Sequence, residues 1–455
     1  MVAQQDDGPR YRLSPSTKED IDVTFFRTFL SSIADAGREL LDGRLGRDAK
    51  SGDMHTLCSD LITQKGEALG TALACAVVDV YRSYDDAAKL AFFEMLLTDF
   101  DVDPDELGAA IAAYQEKPDP ASAQAVSQAA ESRRQRVVRA MNMAPDGTRT
   151  VINIREDLLK VLKDHPHLKP VDADFAHLLA SWFNRGFLEL RRIDWSTPAN
   201  VLEKLIQYEA VHEIRDWDDL RRRLDSDRRC YAFFHPALPD EPLIFVEVAL
   251  VQGLAGSVQA LLDDTVDRIA PQKADTAIFY SISNCQKGLR GVSFGNFLIK
   301  QVVSELRAEL PSLTTFSTLS PVPGFRRWLD QHHADDAALK TLEDHDWVND
   351  ADKAETLRTS MMRLCAAYLV SEKKRDRPLD SVARFHLGNG ARLERINWMG
   401  DVSTKGVEES ASLLVNYKYD LAKIESNHEA YVNSGRVMHS KQVAGLLEGL
   451  DELAK

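Results

Sequence analysis

The chain has 455 residues, of which 44% are hydrophobic and 28% are charged. Its length accommodates two domains, and its composition is that of an ordinary globular protein. The formal net charge of −15 argues against nucleic acids and anionic membranes as partners, because both attract basic surfaces. The N-terminus lacks the apolar segment of a secretory signal, and no apolar run is long enough to cross a membrane. We therefore expect a cytoplasmic protein.

The residue types that bind metals give no complete metal site in the sequence. The five cysteines are scattered without a C-x-x-C pair, which favours free thiols over zinc ligands. His165 and His167 lie in a proline-broken loop without visible partner ligands, and the pair at 332–333 is similar. The alternating aspartates of 99–105 do not form an EF-hand, because proline and alanine occupy positions six and twelve of that loop. They are better interpreted as helix N-caps, and we expect no metal.

Residues 1–185 predict an all-α domain. Ser14 and Ser16 are candidate caps before an apolar stripe at 25–30, and the alanine-rich segment 57–97 has helical periodicity. Residues 149–154 are the one ambiguous strand in this part. The arginine-rich segment 121–141 predicts a basic helix, with either a solvated face or a face that contacts an acidic partner or another subunit.

Residues 186–455 predict a second domain with a mixed sheet of about six strands, giving an α+β fold. A helical region at 198–224 precedes two aromatic and β-branched runs, 230–235 and 242–251, which predict a hairpin. A second hairpin is expected between 382–387 and 392–399, because Asn-Gly in the connecting Gly388-Asn389-Gly390 is a strong turn signal. The charged segment 330–378 is predicted to be mostly helical.

The segment 277–329 carries the strongest functional pattern. An apolar strand at 277–282 is followed by a loop with Gly288, Gly291 and Gly295, and then by a helix with one apolar face. Glycines and unpaired N–H groups at a helix start can hold a phosphate, although such a loop is equally often only a turn. A second strand at 314–319 ends in Ser-Pro-Val-Pro-Gly at 320–324, where the two prolines stiffen the backbone.

Four blocks in this half of the chain read SISNCQKGLRGVSFGNFLIK (281–300), STLSPVPGFRRWL (317–329), ARFHLGNGARLERINWMGDVS (383–403) and NYKYDL (416–421). In order and approximate spacing they resemble the malonyl-CoA decarboxylase family. The likeness is dense from about 230 to 437 and weaker in the N-terminal helices. It implies a GNAT-type acetyltransferase fold for 186–455, with a mixed sheet flanked by helices. It also implies a helical domain that forms a homo-oligomer, a dimer or a tetramer.

The resemblance further implies the reaction and its residues. The substrate would be malonyl-CoA and the products acetyl-CoA and carbon dioxide. The family's catalytic serine and histidine fall on Ser320 and His386. Its CoA-binding loop falls on Arg290, Gly291, Val292, Ser293, Phe294, Gly295 and Asn296. Some relatives carry an acidic residue where this chain has Ser293, so no carboxylate role transfers to that position.

Decarboxylation of a malonyl thioester needs no cofactor in principle, because the thioester carbonyl accepts the charge as an enolate. The protein must orient the breaking bond, stabilise the enolate oxygen, leave the carboxylate poorly solvated and return a proton to the α-carbon. Ser320 suits the second or third task. His386, with an ordinary imidazole pKa of about 6.5, suits the last.

Each assignment has a structural alternative. Ser320 could be a turn serine and His386 a core histidine. The cationic groups Lys287, Arg290 and Lys300 could bind CoA phosphates or be ordinary surface charges. Tyr417 and Tyr419 could close the pocket or pack in the core. At the level of function, a CoA-dependent acyltransferase and a non-catalytic acyl-CoA sensor are the alternatives to a decarboxylase.

Overall fold

The computed structural model of the chain describes Ser32 and residues 53–292, 298–333, 340, 342 and 345–448. Contacts divide the chain into two compact units. The helical unit comprises 1–184, 237–239 and 286–293, and the sheet unit comprises 185–236, 240–285 and 294–455. Within the described residues, no helix is both long and apolar enough to cross a lipid bilayer.

Short α-helices build the described part of the helical unit. They are α1 (Met54–Thr63), α2 (Glu67–Arg82), α3 (Asp86–Thr98), α4 (Pro104–Glu116), α5 (Pro120–Ala129), α6 (Arg133–Met141), α7 (Gly147–Val161) and α8 (Lys169–Trp182). The ambiguous strand at 149–154 is wrong, because it lies within α7. There Val151, Ile154 and Leu158 recur at helical spacing, and all three are buried. The predicted caps and apolar stripe at 14–30 lie outside the described residues.

The charged residues of this unit are more structural than the sequence suggests. Asp103 accepts hydrogen bonds from two amides at the start of α4, as the N-cap interpretation predicts. The basic segment is two helices, α5 and α6, and its predicted solvated face is wrong at Arg134. That side chain is buried and forms ion pairs with Asp101, at 2.8 Å, and with Asp174. Arginine therefore joins α6 to its neighbours instead of facing solvent.

The sheet unit contains a mixed sheet of eight strands. They are β1 (Glu189–Ile193), β2 (Arg228–Phe234), β3 (Ile244–Val251), β4 (Thr276–Asn284), β5 (Thr315–Thr318), β6 (Ser320–Pro321), β9 (Arg392–Asn397) and β10 (Leu414–Lys418), while β7 (Lys373–Lys374) and β8 (Arg377–Pro378) form a separate pair. The order is β1-β2-β3-β4-β5-β10-β6, with β9 also paired to β10. Only the β4–β5 pairing is parallel among the pairings described for this sheet.

Helices flank this sheet, as the predicted fold class requires. They are α9 (Ala199–Tyr208), α10 (Trp217–Arg223), α11 (Val258–Leu262), α12 (Leu298–Glu309), α13 (Phe325–His332), α14 (Ala351–Val370), α15 (Ser381–Gly388), α16 (Thr404–Ser410), α17 (Ile424–Ser434) and α18 (Lys441–Glu448). One apolar cluster packs α9 and α10 against β2, and another packs α11 against β3, β4 and β10. All seven residues of β2 are buried, and the apolar and aromatic run Cys230–Phe234 follows two buried arginines in this strand.

The first predicted hairpin is confirmed, because β2 and β3 pair antiparallel. The second is wrong. Residues 381–388 form α15, whose start is capped by Asp380. Ala383, His386 and Leu387 are buried at positions i, i+3 and i+4, which is helical spacing. The Asn-Gly turn signal that follows favours a hairpin and is misleading here. Gly390, with φ +83°, follows the helix and packs so closely on Ile424 that no other residue fits.

Candidate active site

Ser320 lies at the start of β6, separated from the end of β5 by Leu319, and β10 pairs with both strands. The backbone beyond it is held firmly. The amide of Val322 donates to Ser410 Oγ at 3.0 Å. A Cβ on Gly324 would lie 2.3 Å from the Tyr368 hydroxyl, so only glycine fits there. The serine hydroxyl therefore projects from a backbone with little freedom, as the proline-rich motif predicts.

His386 comes from α15 and meets this serine. Its Nε2 lies 3.1 Å from Ser320 Oγ, and both side chains are buried. The Tyr417 ring stacks on the imidazole with a centroid distance of 4.8 Å and an interplanar angle of 24°. Two residues that are 66 positions apart in the chain are thus brought together by a helix and a strand end.

The contact belongs to a longer chain of hydrogen bonds. Tyr419 Oη lies 2.8 Å from His386 Nδ1, and Ser320 Oγ donates to Thr318 Oγ1 at 2.9 Å. Thr318 Oγ1 also accepts from the Tyr417 amide at 3.2 Å. With Ser320 donating to Thr318, the hydrogen of the neutral imidazole belongs on Nε2 and Tyr419 donates to Nδ1. This assignment gives the hydroxyls of Tyr419 and Ser320 and the imidazole N–H an acceptor each.

Burial keeps these groups neutral. It lowers the pKa of His386 to about 3, because the surroundings disfavour the imidazolium. It also raises the pKa of Tyr419 well above its usual value. The imidazole is therefore a hydrogen-bonding group and not a charged acid. An anion placed beside it would raise its pKa again.

A cavity of about 260 Å³ opens at this pair. Ser320 and His386 contribute polar atoms to its wall, and most of the remaining lining is apolar, including Val246, Phe279, Ile299 and Phe385. Strands β3, β4 and β6 and the helices α12 and α15 supply most of the lining residues. Such a cavity combines a low-dielectric interior with a few convergent polar groups, as ligand sites do.

The glycine loop is anchored to the helical unit. Gly288 lies so near Ile152 that a Cβ would come within 2.0 Å of its carbonyl oxygen. Arg155, which is buried, donates to the Gly288 carbonyl at 2.7 Å and pairs with Asp172 at 2.8 Å. At this position the sequence needs glycine for helix packing and not for approach to a phosphate.

Of the proposed CoA-binding residues, Arg290 and Gly291 are exposed and Val292 is buried, while Ser293, Phe294, Gly295 and Asn296 lie outside the described residues. Gly291 has φ +81°, a conformation that favours glycine. Arg290 makes no ion pair with the part of the chain that the structure describes, and it stays a candidate for a phosphate contact. Lys300 is already paired with Glu425 at 2.6 Å.

Sequence reasoning missed three parts of this site. The sequence does not decide whether Tyr417 and Tyr419 line the pocket or pack in the core. The structure places both against His386. Thr318 had no signal beyond its position two residues before Ser320. Asp380, which caps α15, is also buried, and burial raises its pKa to about 6. The NYKYDL block carried the tyrosines, but nothing in it indicated which ring reaches the imidazole.

A buried hydroxyl–imidazole–phenol chain with strongly shifted pKa values at the wall of an apolar cavity is typical of an enzyme. Comparison with known proteins gives the family. The model described as malonyl-CoA decarboxylase C-terminal domain matches residues 186–454, and the model of the family's N-terminal domain matches 100–183. The chain belongs to the malonyl-CoA decarboxylase family.

Individual relatives agree with this. The mitochondrial malonyl-CoA decarboxylase of Anser anser anser is 39% identical over 343 residues, which is 68% of this chain and 68% of the relative. That of Mus musculus is 38% identical over 335 residues, which is 66% of this chain and 68% of the relative. The crystal structure of malonyl-CoA decarboxylase from Rhodopseudomonas palustris is 50% identical in sequence, with a TM-score of 0.82. The match covers 86% of this chain and 98% of that one. The crystal structure of the Agrobacterium vitis malonyl-CoA decarboxylase is 48% identical in sequence, with a TM-score of 0.83, and the match covers 87% of this chain and 100% of that one.

Proposed function

We propose that this chain converts malonyl-CoA to acetyl-CoA and carbon dioxide, with Ser320 and His386 acting on the thioester. The observation that carries the proposal is the 3.1 Å contact between these two side chains at the wall of the apolar cavity. Family membership supports the choice of substrate. An apolar wall suits the reaction, because a carboxylate that is poorly solvated loses carbon dioxide more readily than one in water.

The roles follow from the hydrogen-bond directions. Ser320 donates to Thr318, and the same hydroxyl can turn to the thioester oxygen, where negative charge develops. His386 Nε2–H holds the serine oxygen in place from the other side. Tyr419 fixes the tautomer by donating to Nδ1. The enolate is thus stabilised by a donor whose oxygen is already held in place and whose hydrogen only has to rotate.

The proton balance assigns a second role to His386. Malonyl-CoA with an ionised carboxylate takes up one proton as it becomes acetyl-CoA and carbon dioxide. The bound carboxylate, and then the enolate, places negative charge beside an imidazole whose pKa burial lowers to about 3, and so raises that pKa. His386 then takes from solvent the one proton that the reaction consumes and becomes an imidazolium. Its Nε2 proton passes to the α-carbon directly or through the Ser320 hydroxyl, which restores the neutral imidazole.

We also propose that the reaction uses no metal or organic cofactor, since the thioester accepts the electron pair itself. Arg290 and the neighbouring residues to Asn296 are proposed to bind the CoA phosphates. Arg290, which is exposed and unpaired among the described residues, supports that proposal by its charge. The homo-oligomer expected for the helical unit stays a prediction.

The test is direct. Purified protein is incubated with malonyl-CoA alone, and then with malonyl-CoA and a chelator. Carbon dioxide is measured in the headspace and acetyl-CoA by chromatography. We expect both products in equal amounts in both samples. Ser320→Ala and His386→Ala should each lower kcat by about 100-fold or more, with a smaller effect on CoA binding.

Matched controls are Ser181→Ala and His177→Ala, two exposed side chains of α8, which should keep wild-type kcat. Near-normal kcat in either site variant would remove that residue from the mechanism. An acyltransferase would release no carbon dioxide without an acceptor, and a sensor would bind CoA without turnover. Either result would overturn the proposed reaction.

A further inference from the structure

Two histidines and a glutamate meet on the surface of the helical unit. His165 and His167 flank Pro166 at the start of a short 3₁₀ helix (Pro166–Leu168), and Glu94 lies on α3. His167 Nε2 lies 2.7 Å from Glu94 Oε1, and the two imidazole rings are 5.8 Å apart. One ligand atom from each residue can be chosen so that all three lie within 4.8 Å of one another. The sequence alone indicates no partner for the histidines, because Glu94 is 73 residues from His167 along the chain.

We propose that Glu94, His165 and His167 bind a divalent transition-metal ion of the zinc class. Metal bonds to imidazole nitrogen and carboxylate oxygen are about 2.1 Å long, which places ligands of a tetrahedral ion about 3.4 Å from one another. The ligand atoms, which lie within 4.8 Å of one another, must therefore approach by at most about 1.4 Å on binding. The Glu94–His167 contact must lengthen slightly. Rotations of partly exposed side chains are enough for both changes.

The backbone that carries the two histidines is well fixed. The His165 amide donates to the Val161 carbonyl at 2.9 Å, and the His165 carbonyl accepts from Leu168 at 3.1 Å. Pro166 restricts the turn between the rings. A fixed backbone reduces the entropy that binding must overcome, so the three side chains are nearly arranged for a ligand before it arrives.

The donor set selects the class of ion. Two imidazole nitrogens and one carboxylate suit zinc, nickel or copper, whereas calcium and magnesium prefer an oxygen-only shell. Three protein ligands leave room for water in a fourth position. Because the ion would join α3 to the segment between α7 and α8, binding should stabilise the folded helical unit by mass action. The site contains no residue of the proposed active site.

The experiment uses the full chain with any affinity tag removed. Isothermal titration with zinc chloride should show one site per chain, and zinc should raise the melting temperature, whereas magnesium at the same concentration should do neither. His165→Ala, His167→Ala and Glu94→Gln should each weaken zinc binding by about tenfold or more. Glu94→Gln is the sharpest variant, because glutamine can still hydrogen-bond His167 but is a poor metal ligand.

His177→Ala is the matched control, since this histidine is exposed on the adjacent helix α8 and should leave the affinity unchanged. Circular dichroism in the absence of zinc checks that each variant is folded. Absence of zinc binding to the wild-type chain overturns the proposal. So does an affinity that stays within twofold of wild type in all three site variants, which would place the ion elsewhere. Decarboxylase activity enters none of these readouts, so the proposal stands or falls independently of the proposed function.

Discussion

Thr318 connects the Ser320 hydroxyl to strand β10. Its Oγ1 accepts from Ser320 at 2.9 Å and from the Tyr417 amide at 3.2 Å, and the side chain is buried. The Tyr417 amide fixes the threonine oxygen, and the threonine oxygen fixes the serine hydroxyl. The orientation of Ser320 therefore depends on β10 as well as on the proline-rich backbone.

When the Ser320 hydroxyl turns to the thioester, the Thr318 hydroxyl can donate to Ser320 Oγ and keep that oxygen in place. We predict that Thr318→Val lowers kcat by about tenfold, because losing this orienting hydrogen bond costs about 1–1.5 kcal/mol. The KM for malonyl-CoA should change less than about threefold, since Thr318 does not line the cavity described for this site. Thr318→Ser keeps the hydroxyl and should keep most of the activity. Steady-state kinetics of the two variants, with thermal melts as a check on folding, measure the difference. Equal kcat in valine and serine variants would contradict the role given to Thr318.

At the scale of elements, α15 places His386, and Asp380 determines where α15 begins. Asp380 Oδ1 accepts from the Ala383 amide at 2.7 Å, while Oδ2 is buried without a hydrogen-bond partner among the described residues. Burial raises the pKa of Asp380 to about 6, although the Ala383 and Val382 amides oppose the rise. The folded protein therefore holds a proton on this carboxyl more tightly than the unfolded chain does.

The sign of the pH effect follows. An acid whose pKa is raised on folding contributes stability below its unfolded pKa of about 4, and the contribution is lost as the pH rises through about 6. Asp380→Asn keeps the cap but cannot ionise. The free energy of unfolding of wild type should therefore fall relative to that of Asp380→Asn by about 1 kcal/mol as the pH rises from 5 to 7.5. Urea unfolding at the two pH values measures this gain.

The control for this prediction is Asp350→Asn, at the half-exposed N-cap of α14, where the side chain accepts from the Asp352 and Lys353 amides. Its stability relative to wild type should not change between the two pH values. A constant difference in Asp380→Asn as well would mean that Asp380 does not titrate in this range.

The same element shows how far the sequence predicts this structure. Strands at 230–235, 242–251, 277–282 and 314–319 were predictable because buried β-branched and aromatic runs have few alternatives. Residues 382–387 were not, since six apolar-rich residues before Asn-Gly fit a hairpin and a capped helix equally well. The Ser320–His386 pair came from family motifs. Tyr419 and Thr318 depend on register across β10, and a single sequence does not contain that register.

The sheet unit encloses a buried ion pair as well as an apolar core. Arg223, at the end of α10, donates to Glu247 on β3 at 2.8 Å, and each side chain is 1% exposed. The same guanidinium donates to the His212 carbonyl at 2.8 Å and to the Glu213 carbonyl at 3.1 Å. Burial raises the pKa of Glu247, and Arg223 opposes that rise. One arginine thus holds a loop, a helix and a central strand together.

Arg223→Met should destabilise the protein by about 3–5 kcal/mol, because it leaves Glu247 buried without its counter-charge. The loss should be greater at pH 8 than at pH 6. Without Arg223 the pKa of Glu247 rises further, so the folded protein is stabilised by protonation and loses that stabilisation as the pH increases. Arg221→Met is the matched control, since that arginine lies on the same helix, is 69% exposed and pairs with the exposed Asp218. The measurement is urea unfolding of both variants at both pH values. Equal urea midpoints for Arg223→Met and Arg221→Met would show that the buried pair does not hold these elements together.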